Sequence, residues 1–490
     1  MRCREWCLAA LSGLLLTLSY PPLGWGPVAW VALFPLLLAL DGKTRLQRCL
    51  LGFVTGMWAS WSVVGHWLFF AFHRVPLDLP AAAVLTQLTI SVSGIGGFVL
   101  FAWLCGAWKS ASLSVLWLSA GWVAIEYLRA NVVGGSPWCL LGHSQYSLPL
   151  VIQVAALAGV YGVSFIVCMA NLALASWWLA AAQRRLHLAI ASALIVLSFA
   201  YGLARLRQAE TDADPMVIQA VYPAWKPELG EAPEQRLADL MRTSAEVPPD
   251  PSALLIWPEN ALRFDLGDGE LSDAFTSFVQ TRRQFVIAGL HRYERRQGTT
   301  QYFNSAVLMA AEGSVIGVAD KRMLVPVAES RWRLLPSVQQ PFSVGKPWVP
   351  LTAGKKKIGV LMCFESIFPE PARSLVRQGA TLLVNPTNDE ILGDGAIQLA
   401  AMAVFRSVEN GVPLVHAATV GVTQIVDRHG RIVASESSHP RVVTAAVSRG
   451  QAGTWYTIIG DAFAWACCAV LLLIAARSTV RLLLERTQSL

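Results

Sequence analysis

The feature that most constrains this chain is a set of long apolar runs with almost no charge in them. A run of about 17–25 apolar residues matches the hydrocarbon thickness of a bilayer. Such spans are expected, with loose edges, at Ala9–Tyr20, Gly24–Leu40, Leu50–Phe70, Ala81–Trp103, Ala111–Leu128, Val151–Ala181, Leu188–Leu203 and Ile458–Ala476. The sequence between the last two reads as an ordinary soluble protein. The expected organisation is a seven-helix membrane domain over 1–209, a soluble domain over 210–450, and a closing helix with a tail over 451–490. Charged residues make up 14% of the 490 residues and hydrophobic ones 54%, where a soluble chain carries about 25% charged. A wholly soluble fold could not hide that apolar surface, and disorder and collagen-like repeats are excluded by the same composition.

The net charge of +7 raises three possibilities: nucleic acid, an anionic surface, or topology signals. Residues 210–450 hold 24 of the 39 lysines and arginines and 26 of the 32 acids, a net −2, which leaves +9 on the flanks. The basicity therefore belongs to the membrane parts, and no nucleic-acid partner is expected. Arg2, Arg4, Lys43, Arg45, Arg48, Lys109, Arg184, Arg185, Arg477, Arg481 and Arg486 all fall on one side if there are eight spans. An excess of Lys and Arg marks the cytoplasmic face. Both termini are then expected inside, with 210–450 on the outer side. The N-terminus is similar to a signal peptide, but no small-residue cleavage site follows the first run, so it is expected to be retained.

Within 210–450 the periodicity changes to short β-rich runs: Met216–Val221, Ala253–Trp257, Phe285–Leu290, Ser305–Met309, Lys357–Met362, Thr381–Asn385, Leu414–Ala417 and Thr423–Asp427. Helical patterns over Pro233–Glu246, Glu270–Arg283, Pro369–Gln378 and Gly395–Asn410 lie between several of them. Strands alternating with helices predict a layered α/β domain. The aromatic-rich stretch Glu329–Pro350 has no clear period. It either packs on the domain or forms an arm over a site or into lipid.

Eight of the nine cysteines lie in the membrane parts, where they read as small apolar fillers. The soluble domain has Cys363 alone. Its count favours an inert thiol, but its place does not. Cys363 follows a buried strand and precedes a helix, the position where α/β sheets build their sites. A helix N-terminus and a nearby cation would favour its thiolate. Glu365 follows two residues later. Glu259, in Trp257-Pro-Glu-Asn, also stands at a strand end, and Lys321 follows Val318–Asp320. Alone, each reads as a solvated charge. Together they offer a carboxylate base, a cation and a thiol.

Trp257-Pro-Glu259, Asp320-Lys321-x-x-Leu-Val-Pro326 and Cys363-Phe-Glu365 resemble the Glu–Lys–Cys pattern of the nitrilase (carbon-nitrogen hydrolase) superfamily in order and spacing. Tyr302-Phe-Asn304-Ser, Asn385-Pro-Thr-Asn388-Asp389 and Arg406-Ser-Val-Glu409-Asn-Gly add to the match. With the membrane flanks, Leu18-Ser-Tyr-Pro-Pro-Leu-Gly-Trp25, Pro137-Trp138 and Thr454-Trp-Tyr-Thr-Ile-Ile-Gly-Asp461, nearly the whole chain resembles the bacterial apolipoprotein N-acyltransferases.

That resemblance implies a nitrilase-like αββα domain on the periplasmic side of the bacterial inner membrane. It implies an enzyme that moves an acyl chain from a phospholipid donor to the α-amino group of a diacylglyceryl apolipoprotein. Glu259 would be the general base, Cys363 the nucleophile that carries the acyl group as a thioester, and Lys321 the cation facing thiolate and oxyanion. Glu365 would orient the amine or tune Lys321, and Glu329 and Asn304 would be positioning groups. No cofactor or metal is expected: His291, His416, His429 and His439 show no ligand spacing. The chain departs from the pattern at Ala220-Val221 after Gln219, at Glu390-Ile-Leu-Gly393, at Phe364 and at His416. Two rival readings remain open at this level. One is a membrane-tethered amidase or hydrolase with the same triad. The other is a transporter or receptor, for which Glu126, His66 and His143 are the intramembrane ionisable candidates.

Overall fold

The structure is a computed structural model. It describes residues 2–60, 80–106, 113–132, 137–208, 215–225, 232–267, 269–296, 299–325, 329, 341–390, 392–393, 395–450 and 453–473, with backbone alone at 80–91 and 296. The described residues form two compact units, one of 2–60, 88–204 and 459–473, the other of 80–87 and 205–458. His66 and most of Glu329–Pro350 up to residue 340 lie outside them.

The first unit is helical. Its main helices are α1 (Cys3–Ser19), α2 (Arg45–Ser60), α3 (Pro80–Leu104), α4 (Ser114–Asn131), α5 (Ala155–Trp178) and α6 (Arg184–Leu206), of which α3 begins and α6 ends in the second unit. Eight spans were expected from the apolar runs. Among the described residues, two helices, α5 and α6, are long and apolar enough to cross a bilayer, and three shorter apolar helices cover Gly26–Ala39, Val92–Leu104 and Ala462–Leu473. The run Gly24–Leu40 is broken because Pro27 and Pro35 each start a new turn: Gly26–Val28, Ala29–Ala32 and Phe34–Ala39 follow one another. Proline removes an N–H and clashes with the preceding turn. The backbone freed by the break is repaired from α5. Asn171 Oδ1 accepts from the Leu33 N–H at 2.8 Å and the Phe34 N–H at 3.1 Å, and its Nδ2 donates to the Ala29 carbonyl at 2.9 Å. In an apolar surround such a repair is obligatory, since no water is there to satisfy the groups. α5 is itself bent at Gly159, where φ is +65°, a value that glycine tolerates without a Cβ penalty.

The second unit contains twelve strands among its described residues. They are β1 (Met216–Tyr222), β2 (Leu254–Ile256), β3 (Phe285–Arg296), β4 (Thr299–Met309), β5 (Val315–Asp320), β6 (Leu351–Ala353), β7 (Lys356–Val360), β8 (Leu382–Thr387), β9 (Leu414–Ala418), β10 (Thr423–Val426), β11 (Ile432–Glu436) and β12 (Arg441–Val447). They make two six-stranded sheets, ordered β12-β1-β2-β3-β4-β5 and β11-β10-β9-β8-β7-β6. β1, β2 and β3 run parallel, as do β7, β8 and β9, and the outer strands are antiparallel.

Strand alternation builds the layers. Ile218, Ile256, Ile287 and Leu308 of the first sheet share a buried core with Ile358, Val384, Val415 and Ile425 of the second. Their sequence neighbours face the other way. Leu255, Trp257, Val286 and Val307 pack with Leu237 and Leu240 of α7 (Pro233–Ser244) and with Phe275 and Val279 of α8 (Glu270–Arg282). On the second sheet, α9 (Pro369–Arg377) lies against β7 and α10 (Gly395–Asn410) against β9 and β10. The result is a four-layer αββα sandwich. The eight expected strands and four expected helices of this unit are present. β5, β6, β11 and β12 were not expected, and β3 and β4 extend past their expected ends into a long hairpin.

Candidate active site

The carboxylate comes first in the chain. β2 ends at Ile256, and Trp257 is then fully buried, with its indole donating to Ser244 Oγ at 3.0 Å and its ring 5.1 Å from that of Phe275. That anchor fixes where the backbone turns, and Glu259 follows, buried. β3 can pass this turn because position 289 is glycine: a Cβ there would stand 2.5 Å from the Glu259 Cα. Three donors hold the carboxylate. Oε1 accepts from Asn304 Nδ2 at 2.7 Å and from Lys321 Nζ at 3.2 Å, and Oε2 accepts from the Asn388 N–H at 2.7 Å.

The cation is set by the end of β5. Asp320 is tied by Arg292 at 2.8 Å and by Ser305 Oγ at 2.7 Å. The next residue then points to the opposite side of the strand. Lys321 donates its backbone N–H to the Asn304 carbonyl at 2.7 Å. Its side chain is 1% exposed, and Nζ lies 2.7 Å from Glu329 Oε1 and 3.2 Å from Glu259 Oε1. Glu329 Oε1 also accepts from Asn304 Nδ2 at 3.0 Å, and Oε2 from the Val325 N–H at 2.8 Å.

The thiol comes from the other sheet. After β7 the chain enters a tight turn, Cys363–Ile367. Cys363 itself has φ +47°, a left-handed conformation that costs a side-chain-bearing residue energy and persists only where neighbours enforce it. They are visible here. Asn385 Nδ2 donates to the Leu361 carbonyl at 2.5 Å and the Cys363 carbonyl at 3.1 Å. Ser366 Oγ donates to the Cys363 carbonyl at 2.9 Å. Glu365 Oε2 accepts from the Met362 N–H at 2.8 Å. The other Glu365 oxygen accepts from the Arg322 N–H at 2.9 Å, the Met323 N–H at 3.1 Å and the Trp348 indole at 3.0 Å. Glu365 therefore staples the strand end that carries Lys321 to the turn that carries Cys363, and makes no ion pair with Lys321 itself among the described residues.

Behind the turn, Arg406 and Glu409 form a fully buried pair at 2.9 Å, and Arg406 also donates to the Ile367 carbonyl at 3.3 Å. His416 Nδ1 meets Asn385 Oδ1 at 2.7 Å, while Nε2 faces Asp389 Oδ2 at 3.6 Å. Asp389 accepts from Thr387 Oγ at 2.5 Å. The described end of the aromatic-rich stretch packs on the domain. Phe342 meets the His291 ring, and Arg322 lies 4.9 Å over Trp348.

All six residues singled out in the sequence thus fall in one neighbourhood. The sequence left Arg292 and Trp348 without a role; Arg292 sits in the β3 extension, where no motif marks it. The charges explain one another. Burial pushes the Cys363 thiol well above its usual range, the Glu259 carboxylate adds to this, and Lys321 opposes it. Burial disfavours a charged Lys321, but Glu259, Cys363 and Glu329 outweigh burial and raise it above the ordinary lysine range. Burial raises Glu365, against its four donors. At rest the geometry holds a protonated thiol beside an anchored carboxylate and a permanent cation. The chemistry available is proton removal from the thiol, attack on a carbonyl, and stabilisation of the oxyanion. Among the described residues, no group of three His, Cys, Asp or Glu side chains could hold a metal ion.

The chain is 34% identical over 500 residues to an apolipoprotein N-acyltransferase from Geobacter metallireducens, covering 96% of this chain and 95% of that one. It belongs to the apolipoprotein N-acyltransferase family. An apolipoprotein N-acyltransferase of Brucella melitensis is 29% identical, with 87% and 86% covered. Residues 12–173 match the apolipoprotein N-acyltransferase N-terminal domain, and residues 230–457 match carbon-nitrogen hydrolase. The αββα unit is thus a nitrilase-like domain. Among solved structures, a carbon-nitrogen hydrolase from Helicobacter pylori is 19% identical with a TM-score of 0.38, covering 49% of this chain and 90% of that one. An amidase from Nesterenkonia is 20% identical with a TM-score of 0.36, covering 47% and 92%. Membership of the acyltransferase family favours acyl transfer over both the hydrolase and the transporter readings.

Proposed function

We propose that this enzyme N-acylates lipoproteins, and that a phospholipid supplies the acyl chain through a thioester on Cys363. Glu259 takes the thiol proton as the sulfur attacks the donor ester carbonyl. The tetrahedral oxyanion forms beside the Lys321 ammonium. As it collapses, the C–O bond breaks, the lysophospholipid alkoxide takes the proton back from Glu259, and the acyl group stays on sulfur. The α-amino group of the diacylglyceryl cysteine then attacks the thioester, Glu259 accepts the amine proton, the C–S bond breaks, and the thiolate recovers the proton as the amide departs. Each half uses the same base and the same cation, which accounts for a two-step exchange at one site. Lysine and backbone donors at an oxyanion act because they are fixed before charge develops. Glu329 and Asn304 hold Lys321 and Glu259 in place, and Glu365 holds the two catalytic segments together.

The single observation that carries this reading is the contact set around Glu259 and Lys321 beside a buried, left-handed Cys363, in a chain of this family. The test is mass spectrometry of lipoprotein N-termini from cells lacking the protein: loss of the amide-linked acyl chain supports the reading, and unchanged triacylation overturns it. We further propose eight membrane spans, both termini in the cytoplasm, and the nitrilase-like domain in the periplasm of a bacterial inner membrane. The +9 on the flanks supports this arrangement. Such a setting brings two lipid substrates to a site without passing through water. Cysteine-accessibility labelling at Arg2, Arg184 and Gln208 tests it. The reading requires the first two on the inner face and the third on the outer.

A further inference from the structure

Glu390 opens Glu390-Ile-Leu-Gly393, a segment where the chain departs from its family's pattern, and the acyl-transfer steps assign it nothing. Its surroundings do. β8 ends at Thr387 and β9 at Ala418, side by side in the second sheet. A hydrogen bond from the Thr419 N–H to the Thr387 carbonyl at 3.2 Å closes the ladder between them. Asn388 and Thr419 then begin two loops beyond the ladder's reach, where backbone groups must find other partners. Asn388 matters most, because its N–H donates to Glu259 Oε2 at 2.7 Å. Asn304 and Lys321 both serve Oε1. The Asn388 N–H is the one donor that the described residues offer to Oε2.

A ring of contacts closes around that N–H. Asn388 Oδ1 accepts from the Thr419 hydroxyl at 2.9 Å and from the Glu390 N–H at 3.2 Å. The Thr419 carbonyl accepts from the Trp225 N–H at 3.3 Å. The Trp225 ring carries the Arg236 guanidinium, 4.2 Å from its centroid. Arg236 Nη2 donates to Glu390 Oε1 at 3.1 Å, which completes the circuit. Arg236 comes from the first turn of α7 and Trp225 from the loop after β1, both on the side of the first sheet. Asn388 and Thr419 belong to the second sheet. The Arg236 and Glu390 side chains are 4% and 14% exposed, so solvent screens this pair less than an ion pair on the surface. Without it the Glu390 side chain is drawn towards water, and the Glu390 N–H that steadies Asn388 moves with it.

We propose that Arg236 and Glu390 are positioning residues for the acylation step: their buried ion pair closes a ring through Trp225, Thr419 and Asn388 that aims the Asn388 N–H at Glu259 Oε2. The ring thereby fixes the carboxylate for the thiol proton, while neither residue touches the reacting atoms. The inference rests on the reading of Glu259 as the general base. It gives the departure at Glu390 a purpose. The chain uses an ion pair between its two sheets to steady the loop that holds the base.

The experiment uses the full chain in mixed micelles of detergent and a phospholipid fluorescent in one acyl chain, with no acceptor present. Single-turnover acylation of Cys363 gives two readouts. The final amount of thioester counts folded protein, and the first-order rate at saturating lipid reports the placement of the base. Arg236→Gln or Glu390→Gln alone strands a buried charge and so mixes lost stability with misplacement. The variant that separates them is Arg236→Met combined with Glu390→Gln, which strands none. It should reach the parental amount of thioester about tenfold more slowly, as a base displaced by well under an ångström would. The lipid concentration giving half the maximal rate should stay unchanged. A parental rate overturns the proposal. So does a deficit carried wholly by the final amount of thioester, since that assigns the pair to folding alone. A raised half-saturating concentration with the maximal rate kept assigns it to lipid binding and overturns the proposal too. Should the double variant not fold, Thr419→Val opens the ring on its other side and leaves the ion pair intact; it should show the same slow rate at full amount, and a parental rate there overturns the proposal. A parent protein that forms no thioester overturns the reading of Cys363 and Glu259, whereas an active parent beside an equally fast variant overturns this inference alone.

Discussion

Replacing Lys321 with methionine removes the positive charge from a site where the side chain is 1% exposed. Methionine is close in length and apolar, so the packing survives while the charge goes. Lys321 lies 3.2 Å from Glu259 and 2.7 Å from Glu329. At an effective dielectric near 20, contacts at these distances have gross Coulomb energies of about 5 and 6 kcal/mol. Most of that offsets desolvation, so the net effect is smaller. Stripping one partner from a buried pair costs about 3–5 kcal/mol of stability, because the other charges are left uncompensated. Catalysis loses a donor to the oxyanion, worth about 2.7–4 kcal/mol, or 10²–10³ in rate. It also loses the cation that opposes the upward push on Cys363. We expect Lys321→Met to form the Cys363 acyl-enzyme from a fluorescent phospholipid at least about 10³-fold more slowly, with a lower unfolding temperature. Lys321→Met combined with Glu329→Gln should recover part of the stability and none of the rate, since one stranded carboxylate is gone but the oxyanion still lacks its cation. A single variant within tenfold of the parent rate refutes the role given to Lys321. A double variant that regains activity with stability shows the lysine to be structural alone.

The remaining expectations are simpler. Because burial and then Glu259 raise the Cys363 thiol, its alkylation by iodoacetamide should climb steadily with pH through 9, measured as the difference from Cys363→Ser; a plateau below pH 8 contradicts this. His429 is lowered from 6.5 to about 4, by burial first and then by Arg205, Arg428 and Arg431. Its folded form is neutral while the unfolded chain protonates near 6.5. Stability from this group is therefore complete above about 6.5 and falls as pH drops toward about 4, at up to about 1.4 kcal/mol per pH unit; His429→Gln should flatten that limb in denaturant titrations, and an unchanged limb assigns it elsewhere. Gly289→Ala would put a Cβ 2.5 Å from the Glu259 Cα, so the base must shift. A loss of thioester formation of about 10²-fold is expected, in line with ångström-scale misplacement, and parental rates would mean that Glu259 is not positioned by this contact.

How much was legible depended on how strongly each element's burial shows in its own residues. β1, β2, β8 and β9 are buried along most of their length, so short β-rich runs stood out. β5 and β11 are half exposed and lie at sheet edges, where apolar patterning is weak. β12 pairs with β1 from more than 200 residues away, a contact that no local period carries. In the helical unit, hydropathy located apolar sequence but not where prolines would break it at 27 and 35, nor that Asn171 would mend the break. At the site, motif spacing singled out Glu259, Lys321 and Cys363 together, the first and last of them at expected strand ends. The geometry that joins them depends on two different sheets meeting. The ties that hold them, Arg292 to Asp320 and Glu365 to the backbone of Arg322 and Met323, involve partners that no short motif contains. Glu365 looked like a group for the amine or for Lys321, and its neighbours make it a staple.

The central claim is that Cys363 carries the acyl group between donor and acceptor. The direct measurement is peptide mass spectrometry of the full-length protein after incubation with a phospholipid isotopically labelled in its acyl chain, with no acceptor present. A hydroxylamine-sensitive mass increase of one acyl chain is predicted on the peptide containing Cys363, absent in Cys363→Ala and discharged when a diacylglyceryl peptide with a free amine is added. Acyl transfer to that amine by Cys363→Ala, or a label on Cys363 that the amine does not discharge, would contradict the account.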